Sequence, residues 1–272
     1  MIRVLQGSVL ATLLAAAGWA APPARELRVC ADPDNLPFSN ERREGFENQI
    51  AQVVADAMHA TVRYTWMPQR RGFIRRTLSA GDCDVVMGVP SAYGMVLATV
   101  PYYRSTYVFV SATSRHLGMR TFDDPALRTL TIGLHAITED GANTPPTHAL
   151  ARRGIVGRVV GFKLWDDESV ANPAGTVIDA VARGDIDVAI VWGPFAGFYG
   201  ARQPVALDIV PVSPEMDEQF PFVYEMSMGV RRGEADLKTE LDGIVGRRHD
   251  EIQRILESFG IPLVASATAK GK

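Results

Sequence analysis

Short apolar runs alternate along the chain with segments whose apolar residues recur at helical spacing. In the first third, the apolar, β-rich runs at 27–31, 61–66 and 84–88 predict strands. The segments at 47–58 and 72–80 predict helices, the second of which ends at a glycine. Strands that alternate with helices favour a parallel sheet with right-handed crossovers, so we predict an α/β fold.

The same order of elements occurs twice. LSAGDCDVVMG at 78–88 resembles VARGDIDVAIV at 181–191, and LRVCA at 27–31 resembles LTIGL at 130–134. Both matches share one offset, since 184 − 81 and 130 − 27 both equal 103 residues. Two matches in one register predict two similarly built lobes, each with a mainly parallel sheet flanked by helices.

Two further apolar runs, at 101–110 and 222–230, predict how the lobes are connected. Both runs have the composition of strands. Residues 236–259 have the apolar spacing of one or more helices, whose apolar face must pack against a sheet. We therefore predict that the chain crosses to the second lobe near residue 111 and returns near residue 221. The expected division is lobe 1 at 26–110 plus 222–264, lobe 2 at 111–221, and a flexible tail at 265–272.

The N-terminus has the pattern of an export signal. Arg3 is followed by a short apolar run at 8–17, and small residues flank Trp19 at a cleavage-like site. The run is too short to span a bilayer, so we predict a cleaved signal peptide at 1–20, with a retained anchor as the alternative. Composition agrees with a globular protein, because 47% of its 272 residues are hydrophobic. A net charge of −3 offers no basic surplus for nucleic acid or an anionic membrane.

The two cysteines, Cys30 and Cys83, are expected in an oxidising compartment. In a strand order of 2-1-3, the first and third strands are neighbours and bring these residues together. We predict that they form a disulfide; two buried free thiols are the alternative.

The order of these motifs resembles that of periplasmic solute-binding proteins, in the group that serves polar amino acids. The likeness runs from about 27 to 263 through LRVCADPDNLPFSN, GFENQIAQVVADAM, LSAGDCDVVMG, PYYRSTYVFV and AVARGDIDVAIVWGPFAGFY. It implies a two-lobed fold of type II that closes on a small molecule. Two departures argue against an amino acid: no Arg or Lys lies between Gly88 and Pro101, and Trp192 begins Trp-Gly-Pro-Phe where that group has an Asp. A buried zwitterion needs both charged partners.

Three longer phrases, RVCADPDNLPFSN, QRRGFIRRTLSAGDCDVVMGVP and PYYRSTYVFV, resemble the MoxJ/XoxJ-like proteins associated with quinoprotein dehydrogenases. That resemblance implies a non-catalytic, monomeric accessory protein of the periplasm, whose partners are a PQQ-dependent methanol dehydrogenase and its c-type cytochrome. Two alternatives remain open. One is a receptor that delivers a small solute to an ABC transporter; the other is a dehydratase-like enzyme with Asp32 or Glu168 as its acid.

The ligand crevice of an open α/β sheet lies beyond the carboxyl ends of its strands. That rule predicts a ligand or partner cleft formed by residues that follow the strands or lie near the hinge. They are Asp32, Asn35, Phe38, Ser39, Trp66, Gln69, Arg70, Pro90, Ser91, Tyr93, Tyr102, Arg104, His135, Trp192 and Phe195. For the stretch after the first strand, a rigid loop in which Asp32 caps the next helix is the alternative.

Four arginines in residues 70–76 could receive a carboxylated cofactor such as PQQ, because guanidinium groups pair with carboxylates. Most of them are expected to face solvent or a protein partner, so no resident cofactor is predicted. The five histidines show no metal-ligand spacing, and no metal site is predicted. The Asp pairs at 82/84 and 185/187 occupy equivalent turns before strands, which favours turn chemistry over catalysis.

Overall fold

The computed structural model describes residues 25–136, 143–165 and 172–265. The predicted signal peptide and most of the predicted tail lie outside these ranges. The strands, in chain order, are β1 Arg25–Ala31, β2 Asp34–Asn35, β3 Ser39–Asn40, β4 Ala60–Trp66, β5 Val85–Pro90, β6 Leu97–Ala98, β7 Tyr103–Ala112, β8 Ile132–Ala136, β9 Val159–Lys163, β10 Val188–Trp192, β11 Leu207–Pro211, β12 Met216–Asp217, β13 Phe220–Pro221 and β14 Val223–Val230. The helices are α1 Phe46–Ala57, α2 Phe73–Arg76, α3 Pro145–Arg152, α4 Thr176–Arg183, α5 Gly193–Gly200, α6 Ala235–Arg247 and α7 His249–Ser258.

The N-terminal half builds a sheet with the predicted 2-1-3 order. Strand β1 lies between β4 and β5 and is parallel to both, with Arg25 opposite Ala60 and Cys30 opposite Val86. Strand β14 returns from the C-terminal part of the chain and adds antiparallel to β5. Because β1 and β5 are neighbours, Cys30 and Cys83 lie 5.5 Å apart at their Cα atoms and form the predicted disulfide.

The second half repeats this plan. Strand β8 lies between β10 and β9, parallel to both, and β7 adds antiparallel to β10. Strand β7 also joins the halves: its beginning pairs with β14 up to Thr106, and its remainder pairs with β10 from Tyr107 onward. The chain thus changes sheets within one strand. The lobe boundaries given above stay a prediction.

Each half has its own apolar core. Phe46, Ile50 and Val54 of α1 pack into the same cluster as Leu241 of α6 and Leu256 of α7, so the tail helices do cover the first sheet. A second cluster joins α4 and α5 to β7 and β10. These cores fix the carboxyl ends of the parallel strands, where the candidate site lies.

The second predicted helix is much shorter than expected. Instead of 72–80, α2 comprises Phe73–Arg76, because Thr77 leaves helical geometry at φ −120° and ψ −81°. The Thr77 hydroxyl donates to the carbonyl of Phe73 at 2.7 Å, and the Ser79 amide bonds to Ile74. A side-chain hydroxyl that bonds a backbone carbonyl of the preceding turn competes with continuation of the helix. The stretch therefore runs as turns to Gly81, whose φ is +88°.

Candidate functional site

A small cavity lined by aromatic side chains lies at the junction of the two sheets. Its volume is about 240 Å³. We call it the aromatic cavity; its lining residues are Pro90, Tyr107, His135, Thr144, Leu164, Ile190, Val191, Trp192, Phe195, Tyr224 and Met226. Three of them end parallel strands or begin the loops beyond, as the strand-end rule requires: Pro90 on β5, His135 on β8 and Trp192 on β10.

Three rings form adjoining walls of this cavity. The Trp192 ring centroid lies 5.5 Å from that of Tyr107 at 60° and 5.7 Å from that of Tyr224 at 79°. Steeply inclined rings in contact are a favourable packing geometry. Tyr107 and Tyr224 are brought together by the pairing of β7 with β14, and β10 sets Trp192 against them. Burial raises the pKa of the Tyr107 and Tyr224 hydroxyls, which therefore stay protonated.

His135 is the buried polar group of the cavity. Its Nε2 lies 2.9 Å from the carbonyl oxygen of Ala174, and its ring meets Phe195 edge to face at 5.1 Å. Because a carbonyl only accepts, Nε2 carries the proton, and Nδ1 is left as an acceptor. Burial lowers the pKa of His135 to about 4, so the ring is neutral near pH 7. The described lining residues of the aromatic cavity therefore carry no charge.

A larger cavity, which we call the arginine groove, adjoins the aromatic cavity at Pro90. Its volume is about 610 Å³. The groove lies beyond the carboxyl ends of β4 and β5, and its lining residues are 69–75, 88–90, Tyr93 and Met95. The groove contains the side chains of Arg70, Arg71 and Arg75, all exposed, as was expected for most of this run. Among the described lining residues, none is acidic.

The loop after β1, residues 32–40, is held in place by hydrogen bonds of its polar residues, to one another and to Gln69. The Asp32 carboxylate accepts the amides of Asp34 at 2.9 Å and Gln69 at 2.6 Å. Ser39 donates to the carbonyl of Asp32 at 2.8 Å, and Asn35 donates to the side chain of Gln69. Burial raises the pKa of Asp32, while the two amides oppose this. The polar residues of this loop thus hold it in one shape. This arrangement is similar to the rigid loop predicted as the alternative to a ligand-binding loop.

The same loop also reaches the second half of the molecule. The Phe38 ring meets Phe195 of α5 at 5.3 Å and Phe46 of α1 at 5.2 Å. The Tyr199 hydroxyl donates to the Leu36 carbonyl at 3.0 Å. Phe38 therefore bridges two cores, and its ring packs at steep angles of 56° and 78° against rings of the protein itself.

The other predicted cleft residues lie elsewhere. Ser91 bonds to the carbonyl of Glu225 and to Ser227, so it anchors β5 to β14. Trp66 stacks on Tyr64 at 4.4 Å. Tyr102 and Arg104 line a third cavity of about 380 Å³ beside the C-terminal residues. Arg104 forms an ion pair with Glu215 at 2.6 Å and donates to the carbonyl of Ala265. The structure thus separates these residues from the aromatic cavity.

The sequence prediction missed Tyr107, Tyr224 and Met226. All three lie inside strands rather than beyond them, and their alternation in two long aromatic strands was the only signal. Glu168 and the segments 137–142 and 166–171 lie outside the described residues. Within the described ranges, no cluster of His, Cys, Asp or Glu side chains could hold a metal ion, and no helix is long and apolar enough to cross a membrane.

The relatives of the chain decide its family. Protein MoxJ of Paracoccus denitrificans is 30% identical over 265 residues, which cover 94% of this chain and 96% of that protein. The chain belongs to the MoxJ family. No protein-family model matches it.

Solved structures support the MoxJ-family assignment. The crystal structure of the periplasmic binding protein XoxJ from Methylobacterium extorquens AM1 is 37% identical, with a TM-score of 0.74, and covers 88% of this chain and 100% of that chain. MxaJ from Methlophaga aminisulfidivorans MPT has the same TM-score and coverages at 27% identity. The predicted resemblance and the two-lobed, type II periplasmic-binding-protein fold are thereby confirmed.

Proposed function

We propose that this chain is a non-catalytic accessory factor of the periplasm that matures or activates a PQQ-dependent methanol or alcohol dehydrogenase by binding it. The observation that carries the proposal is the ring-lined cavity at the lobe junction of a MoxJ-family chain, whose described lining residues carry no charge. Rings of Trp and Tyr are frequent anchors in protein interfaces, since they bury a large area at low entropic cost. The link to methanol oxidation rests on the resemblance of the motifs and on the names of the relatives.

A non-catalytic role agrees with the surroundings of Asp32, one of the two acids named for a dehydratase-like enzyme. The Asp32 carboxylate already receives two backbone amides and is buried, with 4% of its surface exposed. General acid catalysis needs a group within hydrogen-bond reach of a substrate. Burial and these two hydrogen bonds therefore argue against Asp32 as a catalytic acid.

The decisive experiment is affinity capture with the tagged mature protein from the periplasm of methanol-grown cells. We expect mass spectrometry to identify the large subunit of the PQQ dehydrogenase or its c-type cytochrome. A tagged amino-acid-binding protein of the same fold is the matched control. Recovery of neither partner, together with normal dehydrogenase activity in a strain that lacks this chain, would contradict the proposal.

A second candidate function is that of an ABC-transporter receptor for a small solute other than an amino acid. It is favoured by the volume of the aromatic cavity, about 240 Å³, which approaches the lower range of small-ligand pockets. Calorimetry with organic acids, alcohols, amino acids and PQQ separates the two. Micromolar binding of one nutrient, with no capture of a dehydrogenase, would favour the receptor.

A further inference from the structure

The arginine groove and the aromatic cavity are neighbours, because Pro90 lines both, and the protein surface around Pro90 includes the two. The groove is the larger part and contains three arginine side chains, and the cavity is the smaller part and is lined by rings. A ligand that lies along this surface therefore meets positive charge and an apolar pocket side by side.

The charge of the groove contrasts with that of the whole chain. Three arginines lie among its described lining residues without an acidic one, although the chain has a net charge of −3. Guanidinium groups favour carboxylates, which they bind through two parallel hydrogen bonds. Arg70 and Arg71 also interact within the chain, so Arg75 is the clearer reporter of the charge of the groove.

The rim of the groove has the composition of a protein interface. Tyr93 and Met95 are 37% and 38% exposed, so two large side chains are accessible to a partner beside the arginines. Arg, Tyr, Trp and Met are the residue types enriched where proteins bind proteins. A small solute confined to the aromatic cavity would leave this rim unused, whereas an extended segment would cover both.

We propose that this surface binds an extended acidic segment of a partner protein. One aromatic or branched apolar side chain of the segment enters the aromatic cavity, and its neighbouring carboxylates lie in the arginine groove. The inference rests on the proposed function, since it names the chemistry by which the partner is recognised.

The test uses fluorescence anisotropy with the mature protein and three labelled peptides. The first is Glu-Asp-Phe-Asp-Glu; the second replaces its acids by amides, as Gln-Asn-Phe-Asn-Gln; the third replaces its ring, as Glu-Asp-Ser-Asp-Glu. We expect the first peptide to bind at least about tenfold more tightly than either control, because both parts of the surface are needed. Its affinity should fall as salt is added.

Two variants locate the binding. Trp192→Ala should weaken the first peptide about tenfold, and Arg75→Glu should weaken it about fivefold. Arg254→Glu, an exposed arginine on α7, makes the same charge change away from the groove and should leave the affinity unchanged. Because Arg75 is exposed, its variant keeps the test valid even where Trp192→Ala fails to fold.

Three outcomes would overturn the inference: equal binding of the amide peptide, no binding of the acidic peptide at low salt, or competition by phenylacetate at the affinity of the whole peptide. Failure of the proposed function looks different. If the peptide binds as expected but no dehydrogenase is captured, the recognition chemistry stands and the partner is wrong. If the dehydrogenase is captured equally by wild type and Arg75→Glu, the partner stands and the surface is wrong.

Discussion

Glu47 gives the sharpest prediction about stability. It follows Phe46 at the start of α1, and only 9% of its surface is exposed. Its carboxylate lies against Gly88, where an added Cβ would approach Oε1 to 1.9 Å. Burial raises the pKa of Glu47 from 4.5 to about 8. The folded protein therefore holds a proton on this carboxyl across a pH range in which the unfolded chain has released it.

This difference destabilises the native state as pH rises. Between pH 4.5 and about 8 the unfolded state binds fewer protons, so the free energy of unfolding falls with increasing pH. At about 1.4 kcal/mol per unit of pKa, the loss reaches about 5 kcal/mol above pH 8. Glu47→Gln resembles the protonated side chain in shape and cannot ionise. The variant should match wild type near pH 5 and exceed it by several kcal/mol near pH 9.

Urea unfolding followed by circular dichroism over this pH range measures the effect. Glu41→Gln, which removes an exposed carboxyl a few residues away, is the matched control. A difference between Glu47→Gln and wild type that stays constant with pH would refute the reasoning, because it would mean that Glu47 ionises equally in both states.

Three further predictions concern other buried groups, and the last of them is paired with an exposed glycine. Burial lowers the pKa of His135 from 6.5 to about 4, so wild type should lose about 3 kcal/mol relative to His135→Gln as pH falls through that range, measured by the same titration. Replacing Cys30 and Cys83 together by Ala should lower the free energy of unfolding by about 4 kcal/mol, because the disulfide closes a loop of 53 residues; an unchanged urea midpoint would contradict this. Gly197→Ala should cost about 3 kcal/mol, since its Cβ would lie 1.9 Å from a backbone carbonyl oxygen in the turn after α7. Gly246→Ala, with nothing within 4 Å of the new Cβ, should instead stabilise α6 by about 0.5 kcal/mol, and equal melting temperatures would argue against both effects.

The sequence predicted the architecture because its apolar periodicity is local. The alternation of strands and helices follows from patterns a few residues long. The 2-1-3 order, which is common in parallel sheets built from such units, then brings Cys30 and Cys83 together. Helix α2 was predicted too long because the bond from the Thr77 hydroxyl to the Phe73 carbonyl is invisible to a periodicity count. Local sequence signals thus predicted the order of strands and helices and misjudged where α2 ends.

The candidate site was only partly predictable, because it depends on long-range strand pairing. The strand-end rule found His135 and Trp192, which do line the aromatic cavity. It could not find Tyr107 or Tyr224, whose place there follows from β7 pairing with both β14 and β10. It also named Asp32 and Ser39, whose hydrogen bonds join residues of their own loop and, for Asp32, the amide of Gln69.

The chemistry of the cavity explains why a shared fold need not mean a shared ligand. A free amino acid brings a carboxylate and an ammonium group, and each loses its water on entering a closed site. Burying an ion without a partner costs several kcal/mol. Among the described lining residues, Trp192 and Tyr224 offer rings, and His135 is neutral because burial lowers its pKa. Apolar side chains lose no such hydration, so the described part of this cavity favours a ring or a branched chain over a zwitterion. The exposed guanidinium group of Arg75 lies in the adjoining groove, where a partner's carboxylate can reach it without entering the cavity.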